Sequence, residues 1–390
     1  MTPGARVQAA AEILDRIGAG AAAEQALTNW ARSHRFAGAK DRAAIRDLVF
    51  DGLRGWSSLA AWGGGETGRA RMIGRLRALG QDPSAIFTGQ GHAPAVLTPG
   101  EKAFAPDPAT WPDAVRLDYP AWLEPELRRS LGPGLEAVMT LLRARAPVFL
   151  RVNLSRATRA EARAMLAGEG VETRPHPLAE TALEVVGEAR GLHLSRAYAE
   201  GIVEFQDVAS QAVVAEIRSR FPARRVLDFC AGGGGKALAF ADAGAQVTAH
   251  DADPGRMRDI APRAERAGQR IDCVATRDLA RLDPFDLVVA DVPCSGSGAW
   301  RRQPQARWTL TQARLDQLCG MQRAILQEAA ALVAPGGALA HVTCSLLAIE
   351  NEDAVAAFLG ANPDWQAVAS RRFSPLEGGD GFFMSLLTRR

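Results

Sequence analysis

The sequence predicts an α/β protein whose C-terminal half is a mostly parallel sheet covered by helices on both faces. A helical domain should precede that sheet, with a small α/β domain between them. Three observations carry the prediction. From Gln211 onward short apolar strands alternate with helical stretches, the pattern of successive parallel βα units. One of these strands runs into four glycines and then an alanine-rich helix, in Arg225-Val-Leu-Asp-Phe-Cys-Ala-Gly-Gly-Gly-Gly-Lys236. Two later strands, Phe285 to Asp291 and Gly337 to Thr343, run into turns that carry Cys294 and Cys344. Both cysteines then lie at the carboxyl edge of the sheet, where open α/β sheets bind their ligands.

Taken in order, residues 1–140 read as the helical part. Val7, Ala10, Leu14 and Ile17 share one helical face, and Ile45, Leu48, Val49, Leu53 and Trp56 share another, so a small bundle accounts for both. Gly18 and Gly20 separate the first helix from a second over residues 21–33. From Gly63 to about Pro120 the chain is dense in Gly and Pro and reads as linker and irregular packing. Tyr119 opens a helical passage that lasts to Leu142. Residues 141–205 should form the small α/β domain, with a strand over Pro147 to Asn153 and extended pieces near 172–175, 183–186 and 203–205. Residues 206–390 carry the main sheet, with strands at 226–229, 246–250, 273–275, 287–290 and 338–342.

Composition narrows the class. The chain has 390 residues and 47% hydrophobic content, enough for two or three domains with their own cores. Without an apolar run of spanning length or a signal segment, neither export nor membrane insertion is expected, and the reading is cytoplasmic. The five cysteines are an odd number without metal-ligand spacing and should be free thiols. The histidines form no metal or triad pattern. A net charge of +2 excludes a protein that coats nucleic acid by charge alone. Arginines do cluster, at 128, 129, 143, 145, 151, 156, 159 and 163 and again at 301, 302 and 307. Such clusters are either solvated surface or phosphate contacts.

The glycine stretch has the chemistry of a nucleotide-type cofactor loop. Residues without a Cβ let backbone N–H groups approach a ligand, and the helix that follows brings its positive dipole end. A P-loop is disfavoured, because Cys230 and Ala237 stand where that motif needs Gly and Ser or Thr. A dinucleotide site stays open on the glycines alone, since Gly232, Gly234 and Ala237 fit the relaxed fingerprint and Asp251 follows at the next strand end. The two cysteines at strand ends favour a reaction centre instead.

At these residues the sequence resembles the Sun/RsmB (NSUN-type) family of RNA cytosine-C5 methyltransferases. The resemblance runs from Phe205-Gln-Asp-Val-Ala-Ser-Gln211 to Asp380-Gly-Phe-Phe383, with the motifs in the family's order. One departure is visible: the loop reads Ala-Gly-Gly-Gly-Gly-Lys where the family has Ala-Pro-Gly-Gly-Lys. The swap loosens the turn and removes no contacting side chain. The resemblance implies a class I methyltransferase (Rossmann-like) domain using S-adenosyl-L-methionine. Cys230, Ala231 and Gly232, Gly233, Gly234 and Gly235 would line the cofactor, Asp251 would take the ribose hydroxyls, and Asp278 matches the adenine-contacting position. It implies Cys344 as nucleophile, Cys294 as the residue that assists release, Asp291 at the cofactor and the cytosine N3/N4 edge, and Lys236 near both. Lys40 to Arg54 looks like the core segment of a NusB-type RNA-binding bundle, which points to ribosomal RNA, and Arg151 with Asn153 matches a Leu-Arg-Val-Asn phrase of the family's RNA-holding domain. The expected partner is RNA, with no metal, no membrane and a monomeric state.

Sequence chemistry alone does not rank the two cysteines. Asp278 and Asp253 also fit as helix caps, and Cys230, Cys273 and Cys319 fit as packing residues. Two other classes compete. An amino-group methyltransferase would want an Asn/Asp-Pro-Pro-Tyr-type motif where Asp291-Val-Pro-Cys294 stands. A non-catalytic RNA-binding assembly factor would not need both cysteines, Asp291 and Lys236. Transfer RNA is the alternative substrate.

Overall fold

The structure is a computed structural model that describes residues 1–187, 189 and 191–390. The chain divides into two compact units. The first comprises Met1–Arg128, Gly132–Arg145 and Trp300–Thr309, and the second comprises Arg129–Leu131, Ala146–Ala299 and Leu310–Arg390.

The first unit is helical. Its opening helix, Pro3–Gly18, starts at Thr2, whose side chain accepts the Ala5 N–H, with Pro3 in the first turn. Val7, Ile13, Leu14 and Ile17 then meet Trp30, Ile45, Val49 and Leu53 of the next two helices in one buried core. The stretch from Gly63 to Pro120 is not all linker. It contains the helix Gly68–Ala78, whose Met72, Ile73 and Leu76 enter the same core. Glycine is required there by contact: a Cβ on Gly74 would lie 1.9 Å from the Leu59 carbonyl oxygen. Reading that glycine as a breaker hides the helix.

Trp300–Thr309 is the surprise of this unit, because the contiguous boundary at residue 140 leaves it elsewhere. Trp300 is fully buried, Trp308 donates its indole N–H to the Leu53 carbonyl at 2.7 Å, and Gln305 bonds Ala23 N and Ala21 O, each at 2.8 Å. Arg301 and Arg307, read from sequence as phosphate contacts or solvated surface, are 2% and 0% exposed. Arg307 donates to the carbonyl oxygens of Asp118 and Leu142. The first arginine cluster is likewise engaged in protein contacts: Arg128 pairs with Asp113 and Glu124, Arg129 with Asp353, and the buried Arg151 with Asp242.

The second unit holds two sheets. Strands β1 (Phe149–Val152), β2 (Thr173–Pro175), β3 (Ala182–Val185) and β4 (Val203–Phe205) form an antiparallel sheet in the order β2-β3-β1-β4. The larger sheet contains β5 (Arg225–Asp228), β6 (Gln246–His250), β7 (Ile271–Val274), β8 (Phe285–Asp291), β9 (Val333–Thr343), β10 (Trp365–Phe373) and β11 (Phe382–Arg389), in the order β10-β11-β9-β8-β5-β6-β7. β5 to β9 run parallel and β11 antiparallel. Val226, Val289, Ala340 and Met384 pack on one face of this sheet, and Leu227, Val288, Leu339 and Leu387 on the other, so its central strands are apolar on both sides. Strand order reverses between β5 and β8, which opens a crevice at their carboxyl ends. Cys319 packs in the helix Gln312–Ala330, but Cys273 is exposed, because β7 is the sheet's edge strand. Among the described residues no helix is long and apolar enough to cross a membrane.

Replacing Arg307 by Ala should destabilise the helical unit. It strips two buried carbonyls of their donor and leaves a large void, a change expected to cost about 3 kcal/mol or more. The shift of the first thermal or urea transition measures it. An unchanged transition would return Arg307 to the surface role suggested by its charge.

Candidate active site

The glycine loop sits at the switch point. Gly232 (φ 51°) and Gly234 (φ 79°) take left-handed backbone conformations, and Gly234 caps the helix Gly235–Asp242. Asp251, at the end of β6, holds this loop from behind: its Oδ2 accepts the Gly232 N–H at 2.9 Å and its Oδ1 accepts the Asp253 N–H at 3.0 Å. Arg256 pairs with the same carboxylate at 3.2 Å. Asp253 caps the turn at Pro254 by accepting from Gly255 N, as its position suggests. Asp278 is no cap. It lies inside the short helix Thr276–Leu279 and pairs with Arg277 and Arg281.

Inside the crevice, Lys236 and Asp291 form an ion pair of 2.5 Å with the lysine 7% exposed. Burial works to lower the pKa of this ammonium, but Asp291, Asp228 and Cys344 outweigh it and hold the value above the ordinary one. The Lys236 nitrogen also stands 5.0 Å from the ring centroid of Phe382. Asp228, the last residue of β5, is 1% exposed. Burial first, and the charge of Asp291 second, push its pKa up to about 7.

The two cysteines meet. Cys294 Sγ and Cys344 Sγ are 3.4 Å apart, because β8 and β9 pair in parallel with Asp291 opposite Val342 and each strand is followed by its cysteine turn. The hydrogen bond to Cys344, then burial, then the charges of Cys344 and Glu350 raise the Cys294 thiol well above its ordinary pKa. Either sulfur can be the donor in the contact between them. The third cysteine, Cys230, is half-buried just after β5, and its thiol is raised by burial and by Asp228, Asp291 and Asp251.

Behind the sulfurs lies a buried polar core that the sequence does not announce. Glu350, fully buried, accepts from Ser295 N at 2.7 Å, from the Ser295 and Ser345 hydroxyls, and from Gln322 Nε2 at 3.1 Å. Gly298 N donates to Cys344 O at 3.0 Å, and Gly381 N to Gly298 O at 2.9 Å. A Cβ on Gly298 would lie 2.0 Å from the Gly381 oxygen. Asp228 and Glu350 went unrecognised in the sequence. An acid at the last position of the strand feeding the glycine loop was the available signal for the first.

The crevice suits a cationic ligand of nucleoside type. Asp228, Asp251 and Asp291 surround the loop, and the Oδ1 of Asp228 is buried without a partner, an acceptor that only a bound donor would satisfy. An ammonium or sulfonium group complements those acids, and the open glycine backbone leaves room for it.

Strand order, glycine loop and acidic crevice together define a class I methyltransferase that uses S-adenosyl-L-methionine. Comparison with known proteins makes the class specific. The family model for 16S rRNA methyltransferase RsmB/F matches residues 220–387, and that for the RsmF/B-like ferredoxin-like domain matches residues 119–190. Ribosomal RNA small subunit methyltransferase B of Vibrio cholerae is 33% identical over 296 residues, covering 72% of this chain and 68% of that protein. The protein of the same name from Xanthomonas campestris is 32% identical over 341 residues, covering 82% and 74%. The chain belongs to the Sun/RsmB family and is an RNA methyltransferase. Its fold is shared by the crystal structure of PH0851 (TM-score 0.78, 23% identity, 100% of this chain and 99% of that one). A methyltransferase homologue from Pyrococcus horikoshii is also similar (TM-score 0.62, 20% identity, 73% and 100%).

The raised Asp228 pKa has a measurable sign. Between pH 4 and 7 the folded chain keeps a proton that the unfolded chain has lost, so this group's contribution to stability falls as pH rises through that window, by about 4 kcal/mol in all. His341 acts in the opposite sense below pH 6.5: burial lowers its pKa to about 4, so stability is lost as pH falls. Asp228→Asn removes only the first effect. Its stability relative to the parent should rise from pH 4 to 7, as read from urea midpoints at several pH values. Parallel curves would contradict the raised pKa.

Proposed function

We propose that the protein forms 5-methylcytosine in RNA, with ribosomal RNA as the substrate class, through a covalent adduct between cysteine and cytosine C6. The observation that carries this is the pair of sulfurs 3.4 Å apart beside the Lys236–Asp291 ion pair. Carbon 5 of cytosine is a weak nucleophile until a thiolate adds at C6, so the reaction needs one sulfur to attack and a base to finish.

The family resemblance assigns Cys344 as the attacking sulfur, and the hydrogen bond to Cys344 and burial, which raise the Cys294 thiol, disfavour Cys294 for that role. Cys344 Sγ bonds to C6, and the displaced electron pair makes C5 nucleophilic. S-adenosyl-L-methionine, when bound, supplies the electrophilic methyl group. Gly232 to Gly235 would hold its methionine end, with Cys230 and Ala231 in the same loop, Asp228 as acceptor for its ammonium, Asp251 at the ribose and Asp278 at the adenine. Once Cys344 is bonded to carbon it is an uncharged thioether and only a weak hydrogen-bond acceptor. The first cause of the raised Cys294 pKa then weakens, and Cys294 acts as the base that takes the proton from C5. The electron pair of that C–H bond re-forms the C5–C6 double bond and expels Cys344 as thiolate. Asp291 would receive the cytosine N3/N4 edge, with Lys236 fixing its orientation. The helical unit is proposed to hold RNA in the manner of a NusB-type bundle.

Replacing the cysteines one at a time separates their roles. Cys344→Ala should methylate nothing and trap nothing, with activity down by at least about a hundredfold. Cys294→Ala should accumulate a protein–RNA adduct that survives denaturing electrophoresis and vanishes in the double variant. The reverse assignment of phenotypes would make Cys294 the nucleophile. Two single variants with near-parental methylation would end the covalent mechanism.

A further inference from the structure

Glu350 has an arrangement that packing alone does not explain. It is a carboxylate at 0% exposure, and its four partners are neutral donors: the Ser295 N–H and hydroxyl, the Ser345 hydroxyl and the Gln322 amide. Burying a carboxylate without a cation is unfavourable, and full hydrogen bonding is what makes it tolerable. The identity of the donors is informative. Ser295 follows Cys294 directly, and Ser345 follows Cys344 directly. One carboxylate thus grips the residue after each cysteine, while Gln322 also ties Pro293 O, the residue before Cys294, at 3.0 Å. Its own backbone is anchored to the sheet, since the Glu350 carbonyl accepts from His341 Nε2 on β9 at 3.0 Å.

We propose that Glu350 is the positioning residue of the reaction, the clamp that holds the two cysteine turns in the register that brings their sulfurs together. The proposal rests on the reading that both cysteines act in one reaction. Past the end of the ladder a single backbone bond among the described residues, from Gly298 N to Cys344 O at 3.0 Å, joins the two turns, and side chains supply the other ties. A carboxylate has four acceptor sites on two oxygens and meets all four donors at once. The amide of Gln keeps the shape, but its NH2 group faces two hydroxyl donors and one oxygen is lost as an acceptor. Glu350 touches neither sulfur and no substrate group; its charge contributes to raising the Cys294 thiol, and its hydrogen bonds set where the sulfurs are.

The test reads sulfur geometry directly, in the full chain and without RNA. Diamide takes one hydrogen from each of two neighbouring thiols, forming the S–S bond and being reduced to the hydrazine. The parent, with sulfurs 3.4 Å apart, should give the Cys294–Cys344 linked peptide by mass spectrometry. In Glu350→Gln and Glu350→Ala the yield at fixed time should fall at least about tenfold, because disulfide formation tolerates little change in separation. S-adenosyl-L-methionine affinity should stay at the parental value, since the glycine loop is built from other residues. The kcat for methylation should fall about a hundredfold, the effect of a misplacement of about 1 Å, with little change in KM. If the Ala variant does not fold, Ser345→Ala removes one donor and should lower cross-linking in the same direction. Variants that fold, bind cofactor and cross-link like the parent would overturn the clamp. A parent that cross-links but leaves every cytosine unmethylated would overturn the proposed reaction and leave the clamp standing.

Discussion

The parallel pairing of β8 with β9 is the constraint on which the rest of this molecule depends. It sets Asp291 opposite Val342, and from that register two turns leave the sheet side by side, each with a cysteine. No property of either cysteine alone makes the site. A thiol in a core is an inert packing group, and what sets these two apart is that their sulfurs stand 3.4 Å from each other. A slip of one residue in the β8–β9 ladder would turn every side chain of the strand to the opposite face, separating the sulfurs and taking Asp291 away from Lys236.

Charge in the crevice is arranged for binding rather than for stability. Asp228 is desolvated beside Asp291, with Lys236 paired to Asp291 and Arg256 to Asp251, and it carries a raised pKa and an unpartnered oxygen. Perturbed groups of this kind concentrate where a ligand will complete the electrostatics. Lys236 tempers the repulsion and Phe382 covers it from the side. By contrast, three of the arginines that look from sequence like a nucleic-acid surface, Arg151, Arg301 and Arg307, are buried, while Arg128 and Arg129 are half-exposed and in ion pairs. Charge density along a chain does not distinguish a phosphate contact from a guanidinium that ties carbonyls together.

The parallel strands were legible because β5, β6 and β8 are short apolar runs bounded by polar residues, and the glycine loop was legible because its conformation admits little else. β10 and β11 escaped notice: β10 is an exposed edge, and β11 is buried along most of its length with no alternation to read. The helix Gly68–Ala78 was obscured by glycines whose purpose is close contact. Glu350 was illegible for a deeper reason. In sequence it is one acid of a Glu-Asn-Glu triplet, ordinary at the start of a helix, and its burial is decided by Ser295 and Gln322, 55 and 28 residues away. Cys273 was misjudged because its strand closes the sheet, and one face of an edge strand can meet water.

The membership of Trp300–Thr309 in the helical unit bears on how the chain comes to be folded at all. Trp308 and Leu53 are joined across a separation of 255 residues, so a unit that begins at the first residue is completed only when the chain has been made past residue 309. At about 5–20 residues per second of synthesis, the amino-terminal helices wait tens of seconds with one wall of their core missing. The small antiparallel sheet and most of the parallel one emerge in that interval. A segment that closes so late adds contacts of very long range, the kind whose loop entropy slows folding. The amino-terminal helices leave the ribosome before either sheet, yet their unit is among the last to be finished.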